Sequence, residues 1–75
     1  MEDIDAKQLS LFYGRRVKEL RKELKITQQQ LADMTGIKRE YISLIEQGRT
    51  DMQLSTLIRI ANALGLRLSL DLQLA

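Results

Sequence analysis

The tightest constraint in the sequence is the division of residues 27–48 into two short helical segments by glycine. The first segment begins at Thr27, a favourable N-cap residue, and Gln30 completes a capping box three residues later. Gly36 can take the left-handed conformation that ends a helix, which leaves only about seven helical residues. A helix this short is not stable alone and must be held by packing.

A second short helix is predicted from about Lys38 to Gln47, and Gly48 ends it. Its apolar pair, Ile42 and Ile45, has helical spacing and predicts one side that faces a core. The three residues between the two helices, TGI, include a glycine. Two short helices joined in this way match the description of a helix-turn-helix unit.

Two further helical segments flank this pair. A capping box of Asp5 and Gln8 predicts a helix that runs to about Lys25. Gly14 inside it is expected to allow another helix to pack closely. The core side of this helix is predicted to contain Phe12 or Tyr13, Val17, Leu20 and Leu24. A last helix over about 54–64 is predicted to bury Leu57, Ile60, Ala61 and Leu64.

The composition excludes several ways of stabilising a small domain. The chain has 75 residues and contains neither Cys nor His, which excludes disulfides and the common zinc sites. Oligomerisation is the remaining way to bury more apolar surface. The N-terminus lacks an apolar run and no stretch approaches 18 apolar residues, so we expect neither a secretory signal nor a membrane span. The lack of Cys fits a cytoplasmic location.

Charge is unevenly distributed along the chain although the net charge is only +2. Residues 1–6 contain three acids and no base, and residues 1–7 are interpreted as an acidic N-terminal arm. Residues 7–25 contain seven basic and two acidic side chains, a net of +5. As single residues these bases are equally compatible with a solvated helix face, but as a group they predict a basic surface.

The apolar period changes to two in residues 66–74, LRLSLDLQL, where leucine alternates with polar residues. This alternation predicts a β-strand, which would have no partner within its own chain. An unpaired strand invites pairing with a second copy, and a two-fold axis at Ser69 would place Arg67 opposite Asp71. The predicted dimerisation residues of segment 66–75 are Leu66, Arg67, Leu68, Leu70, Asp71, Leu72 and Leu74. A frayed tail or an amphipathic helical end is the alternative.

The stretch ITQQQLADMTGIKREYISLIEQGRT, followed by LSTLIRIANALGL, resembles the Cro/repressor-type, or Xre-like, helix-turn-helix family. The resemblance covers roughly residues 11–65 and rests on T-Q-x-x-L-A, a turn glycine, Y-I-S-x-I-E-x-G and a closing A-L-G. It implies an all-α bundle of four or five helices, with residues 8–65 as the DNA-binding domain. The leucine alternation is similar to that of the HipB-like antitoxins, which implies a C-terminal strand that pairs across a homodimer.

The resemblance also assigns roles to individual residues. The base-reading positions fall on Arg39, Glu40 and Leu44, with Lys38 and Ser43 beside them. If Ile42 points inward, a rotation of 100° per residue places Glu40, Ser43, Leu44 and Gln47 on the opposite face. Arg can read guanine, Glu can accept from cytosine and Leu can pack on a thymine methyl. Glu40 would also be favourable in a first helical turn for the helix dipole alone.

Contacts to phosphate are expected near helix N-termini and the adjoining loops. Gln28 matches the phosphate-binding glutamine of the family, and Thr27, Tyr41 and Arg49 are further candidates. Capping by Thr27 and core packing by Tyr41 are the alternatives. Arg21 and Glu46 match a family pair that forms an internal salt bridge, so both are interpreted as structural.

These features predict a repressor that binds an inverted repeat in double-stranded DNA as a homodimer. The HipB-like resemblance implies an antitoxin that represses its own HipBA-like operon and neutralises a HipA-like kinase toxin. A phage-type repressor, a restriction-modification control protein or a mainly protein-binding module are the alternatives. Enzymatic activity is not expected, because the chain lacks His, Cys and a glycine-rich phosphate loop, and no cofactor or metal is predicted.

Overall fold

The computed structural model describes residues 5–66, and this part of the chain is all-helical. Its four helices are α1 (Ala6–Glu23), α2 (Gln28–Thr35), α3 (Arg39–Glu46) and α4 (Leu54–Ala63). The all-α helical bundle expected from the sequence is therefore confirmed. Most of the predicted strand lies outside the described residues, namely Arg67, Leu68, Leu70, Asp71, Leu72 and Leu74.

A small apolar core holds the two shortest helices in place. Leu31 of α2, Ile42 and Ile45 of α3, and Ile60 of α4 are almost completely buried and form its centre. Helix α1 packs mainly on α3, whereas α4 packs mainly on α2. The eight-residue helices α2 and α3 thus gain from tertiary contacts the stability that their length cannot supply.

The predicted caps of α1 and α2 are present. Thr27 Oγ1 accepts from the backbone N–H of Gln30 at 3.0 Å, and Thr27 N–H donates to Gln30 Oε1 at 2.8 Å. Asp5 and Gln8 form the same reciprocal pair at the start of α1. Gly36 ends α2 with φ = 73°, a left-handed conformation that costs other residues more. The turn before α3 is therefore determined by local chemistry.

Gly14 brings the backbones of α1 and α3 into direct contact. A Cβ atom at this position would overlap the carbonyl oxygen of Ile45 near the end of α3. Gly14 itself is buried, as is Val17 one turn further along α1. The close helix packing predicted for this glycine is confirmed, and it fixes how α3 lies against α1.

The end of α1 differs from the prediction. The helix stops at Glu23 instead of continuing to Lys25, whose backbone turns left-handed with φ = 58°. The N–H of Ile26 then donates to the carbonyl of Arg21 at 3.1 Å, which turns Ile26 toward the core. Leu24 is consequently 50% exposed and is not the core residue that the spacing predicted.

Of the two alternatives Phe12 and Tyr13, the structure selects Tyr13, which is half-buried, whereas Phe12 is exposed. Two other predicted positions need correction. Leu57 is half-buried rather than buried, because α1 and α4 do not close on each other. Leu66, predicted to begin the strand, donates its N–H to the carbonyl of Ala61 at 2.8 Å and so completes the end of α4.

The proposed N-terminal arm is shorter than predicted. Asp5 is the N-cap of α1, and Ala6 and Lys7 form part of its first turn. These three residues belong to the helical domain because the capping box of Asp5 begins the helix there. The rest of the predicted arm, residues 1–4, lies outside the described residues.

Within residues 5–66, no helix is both long and apolar enough to cross a membrane. The same residues contain no group of three or more His, Cys, Asp or Glu side chains that could hold a metal ion. Several of their acidic side chains instead serve the fold. Asp5 caps α1, Glu19 pairs with Arg16 on the surface, and Glu46 pairs with Arg21 in the interior.

We expect Gly14→Ala to destabilise the protein even though Ala favours a helix over Gly by about 1 kcal/mol. The added methyl group would overlap a backbone carbonyl that cannot rotate away, and such overpacking typically costs about 1–3 kcal/mol. Urea unfolding followed by circular dichroism measures the difference. Lys18→Ala, at an exposed position of the same helix, is the control. An unchanged or raised midpoint for Gly14→Ala would contradict the backbone contact.

Candidate nucleic-acid interface

Helix α3 separates its side chains into an inner and an outer set. Ile42, Ile45 and Glu46 are buried against the rest of the bundle. Arg39, Glu40 and Leu44 are exposed on the outer face. All three exposed residues were predicted to read bases, and the structure brings them together on one short helix. This outer face, together with Lys38 and Ser43, is called the α3 outer face below.

Three charged side chains, Lys38, Arg39 and Glu40, lie at the start of the α3 outer face, and none of them caps the helix. Lys38 occupies the N-cap position with extended backbone, and its side chain makes no capping hydrogen bond. The guanidinium of Arg39 lies 3.5 Å from the carboxylate of Glu40, and the two side chains are 47% and 74% exposed. An exposed ion pair of this kind contributes little to stability. Both side chains can therefore be drawn to another partner at small cost.

Ser43 and Gln47 are linked on the following turn. Gln47 Nε2 donates to Ser43 Oγ at 2.9 Å, which occupies one lone pair of the hydroxyl and leaves its O–H able to donate. Gln47 was placed on this side of α3 by its angular position but was not among the predicted contacts. The i, i+4 spacing of Ser and Gln is the sequence signal that indicates the pair.

The N-terminus of α2 lies beside α3 and has the properties of an anion-binding position. Its first turn contains no acidic residue, and the N–H groups there point away from the helix. Thr27 supplies the cap with both its hydroxyl and its N–H. Its hydroxyl accepts in that cap, so its own hydrogen remains able to donate to a phosphate. The capping alternative for Thr27 is thus observed, and it leaves the predicted contact possible.

The side chain of Gln28, at the start of α2, is hydrogen-bonded to the buried carboxylate of Glu46 on α3. Gln28 Nε2 donates to Glu46 Oε1 at 3.1 Å. The amide nitrogen carries two hydrogens, so one is still able to donate outward. This hydrogen bond orients the side chain that the family resemblance assigns to phosphate.

Arg21 and Glu46 form the internal ion pair that joins α1 to α3. Arg21 Nε and Nη2 donate to the two carboxylate oxygens at 2.7 and 3.1 Å, a bidentate arrangement. Arg21 Nη1 also donates to the carbonyl of Ile26 at 2.7 Å. Both side chains are more than nine-tenths buried. Among the described residues no buried side-chain nitrogen or oxygen lacks a partner, so this pair is fully satisfied.

The other two predicted phosphate contacts lie at different places. Arg49 is exposed in the loop after α3, and it lines a shallow depression with Lys7 and Thr50. Lys7 was counted in the basic run but was not singled out, because its distance from Arg49 in sequence gives no signal of their proximity. Tyr41 is half-buried and packs against the core, which favours the packing alternative for its ring.

Comparison with known proteins identifies relatives of this arrangement. A family model described as helix-turn-helix matches residues 17–70. The immunity repressor protein of Bacillus phage phi105 is 46% identical over 56 residues, which cover 75% of this chain and 39% of the repressor. A Haemophilus influenzae protein named as an uncharacterized HTH-type transcriptional regulator is 42% identical over 57 residues, which cover 72% of this chain and 58% of that protein. The chain therefore spans only part of both relatives.

We expect Glu46→Ala to lower the free energy of unfolding by about 3–5 kcal/mol, because it leaves the buried Arg21 without its counter-charge. The matched control is Glu19→Ala, which removes an exposed pair with Arg16 and should cost less than about 1 kcal/mol. Urea denaturation of both variants tests the difference. Glu46→Gln keeps an acceptor oxygen and provides a milder change if the Ala variant does not fold. Equal effects at Glu46 and Glu19 would refute the structural role of the buried pair.

Proposed function

Because the chain belongs to the Cro/repressor-type helix-turn-helix family, we propose that it binds double-stranded DNA sequence-specifically and represses transcription. The observation that carries this proposal is the division of α3, whose inner side chains join the core while Arg39, Glu40 and Leu44 face outward. Such a helix can enter the major groove without disturbing its own packing. The protein acts by binding and not as an enzyme, and it works in the cytoplasm.

Bases are read by the α3 outer face. Arg39 donates to the acceptors of guanine, and Glu40 accepts from the amino group of cytosine. Leu44 packs on a thymine methyl, while Lys38 and Ser43 contact the flanking positions. The exposed pair between Arg39 and Glu40 is exchanged for these contacts when DNA binds. The positive charges at the start of α3, which are unfavourable for the helix dipole, then face an anion.

Phosphates are held on either side of α3. At the start of α2, Gln28 and Thr27 contact one phosphate together with the helix N-terminus. Arg49 contacts a phosphate from the loop after α3, and Tyr41 contributes its hydroxyl. These contacts position the protein, and they make binding depend on salt because counterions are released.

The DNA-binding unit is a homodimer joined by residues 66–75. The supporting feature is the leucine alternation, which predicts a strand, while residues 5–66 contain no strand that could pair with it. Two α3 helices related by a two-fold axis are spaced by about 34 Å, one turn of DNA, so the operator is an inverted repeat.

Two finer functions have separate support. The 46% identity to a phage immunity repressor supports a phage-type repressor. A restriction-modification control protein is an alternative of the same DNA-binding class. The leucine alternation supports an antitoxin that represses a HipBA-like operon and neutralises a HipA-like kinase toxin. Co-expression with kinases encoded beside the gene separates them, because only the antitoxin, or a mainly protein-binding module, copurifies with a toxin.

Selection from fragmented genomic duplex DNA tests base reading. The native protein should recover one inverted repeat, and Arg39→Ala/Glu40→Ala should lose it, since each good base contact is worth about 1–3 kcal/mol of discrimination. The salt dependence of the remaining binding should change little. Arg59→Ala, an exposed arginine of α4, is the control. Enrichment without a shared sequence, or the same repeat recovered by the double variant, would contradict the proposal.

Arg49→Ala should behave differently from the base-reading variant. We expect it to weaken binding to all sequences alike and to reduce the slope of log K against log salt by about 1, because one phosphate contact is lost. Fluorescence anisotropy titrations over a series of salt concentrations measure that slope. A change in the preferred sequence, with an unchanged slope, would instead assign Arg49 to base contact.

A further inference from the structure

An apolar groove runs between α1 and α4. It consists of two neighbouring hollows of about 490 and 110 Å³, both of which are lined by Tyr13 and Leu57. The groove exists because α1 packs mainly on α3 and α4 mainly on α2, so the two outer helices splay apart. This α1–α4 groove is lined chiefly by Leu9, Tyr13, Leu20, Leu54, Leu57 and Leu66.

The α1–α4 groove exposes apolar side chains that no described segment covers. Leu9 and Leu54, at its wide end, are 43% and 51% exposed, and Leu57 in the middle is only half-buried. Contiguous exposed apolar surface of this kind marks an interaction site more often than isolated leucines do. The lining of the groove comes from α1, α4 and their adjoining loops and includes no residue of α2 or α3.

The sequence that follows the groove has the chemistry to fill it. Leu66 lines the narrow end, and segment 67–75 begins immediately after it. Leucine occupies every even position of that segment up to 74, so an extended conformation would place all of these side chains on one face. Nine extended residues reach up to about 30 Å, whereas the ten residues of α4 span about 15 Å. The segment is therefore long enough to lie along the groove.

We infer that the α1–α4 groove of each protomer receives the leucine segment of a second copy of this chain. This inference rests on the homodimer of the proposed function and names the surface on which that dimer closes. With antiparallel pairing about Ser69, Leu72 lies beside Leu66 of the partner subunit, at the narrow end of the partner's groove. Leu74 then extends further along that groove.

Pairing between copies is favoured over a tail folded back on its own groove. A single strand laid over apolar side chains would leave its backbone N–H and C=O groups without partners. Two paired strands satisfy those groups with each other. Because even positions face even positions in this register, the pair has one leucine face for the two grooves and one polar face carrying Arg67 and Asp71.

Cysteine cross-linking tests the arrangement, since the chain contains no cysteine of its own. Chains carrying Arg16→Cys, on the rim of the narrow end, are mixed with chains carrying Leu74→Cys, unfolded together, refolded and treated with a short bis-maleimide. We expect a mixed cross-linked product. The matched control replaces Arg16→Cys by Arg59→Cys, which is also an exposed helical arginine but lies outside the groove lining, and should give little product.

The outcomes separate the possible occupants. A mixed product above the Arg59→Cys control supports docking by a second copy. An intrachain product from the double variant Arg16→Cys/Leu74→Cys, without a mixed product, means that the tail fills its own groove and overturns the inference. A refolded chain that is monomeric by analytical ultracentrifugation, or a mixed yield no higher than the control, overturns it as well.

Failure of the proposed function is recognised separately. Arg39→Ala/Glu40→Ala should leave the cross-linking unchanged, because the α3 outer face does not line the groove. Cross-linking without recovery of any DNA sequence would contradict the proposed DNA binding and support the docking surface. Recovery of an inverted repeat without cross-linking would support the DNA binding and contradict the docking surface.

Discussion

The carboxylate of Glu46 accepts hydrogen bonds from α1 and α2 while it belongs to α3, and much of the structure depends on this junction. Arg21 binds it in bidentate fashion and also holds the carbonyl of Ile26, and Gln28 binds it from α2. Apolar packing alone would bring these helices together without fixing their rotation, since hydrophobic contacts have no direction. The buried ion pair supplies direction. It orients α3 and the start of α2 relative to each other, the two elements that hold the candidate DNA contacts.

The small size of the domain explains why such a junction is needed and why one side stays open. Only a few side chains, with Leu31 and Ile42 at the centre, are completely removed from water. A backbone contact at Gly14 closes α1 on α3, but α4 has no comparable contact with α1. A domain of this length has little apolar surface with which to close every side. Among residues 5–66, the α1–α4 groove is the side that stays uncovered.

Local chemistry determined which parts of this structure the sequence could predict. The capping boxes of Asp5 and Thr27 and the left-handed Gly36 depend on neighbouring residues, so helix starts and the central turn were predicted well. The outward position of Arg39 and its neighbours followed from helical rotation. Leu24 was assigned wrongly because α1 ends in a Schellman motif, in which Lys25 is left-handed and Ile26, not Leu24, packs on the core. The usual sequence signal for such an end is a glycine, and this chain has a lysine there. The bond from Gln28 to Glu46 depends on tertiary packing, which periodicity does not encode.

The division of α3 has a consequence for how proteins of this kind diversify. Its inner residues, Ile42, Ile45 and Glu46, are buried against the rest of the bundle, while Arg39 and Glu40 on its outer side form only an exposed ion pair, which contributes little to stability. Mutations on the outer side are therefore close to neutral for folding, and a duplicated gene could explore new outer side chains without first losing its structure. Two copies in one cell could in this way acquire separate targets through a few substitutions on the exposed side of one eight-residue helix.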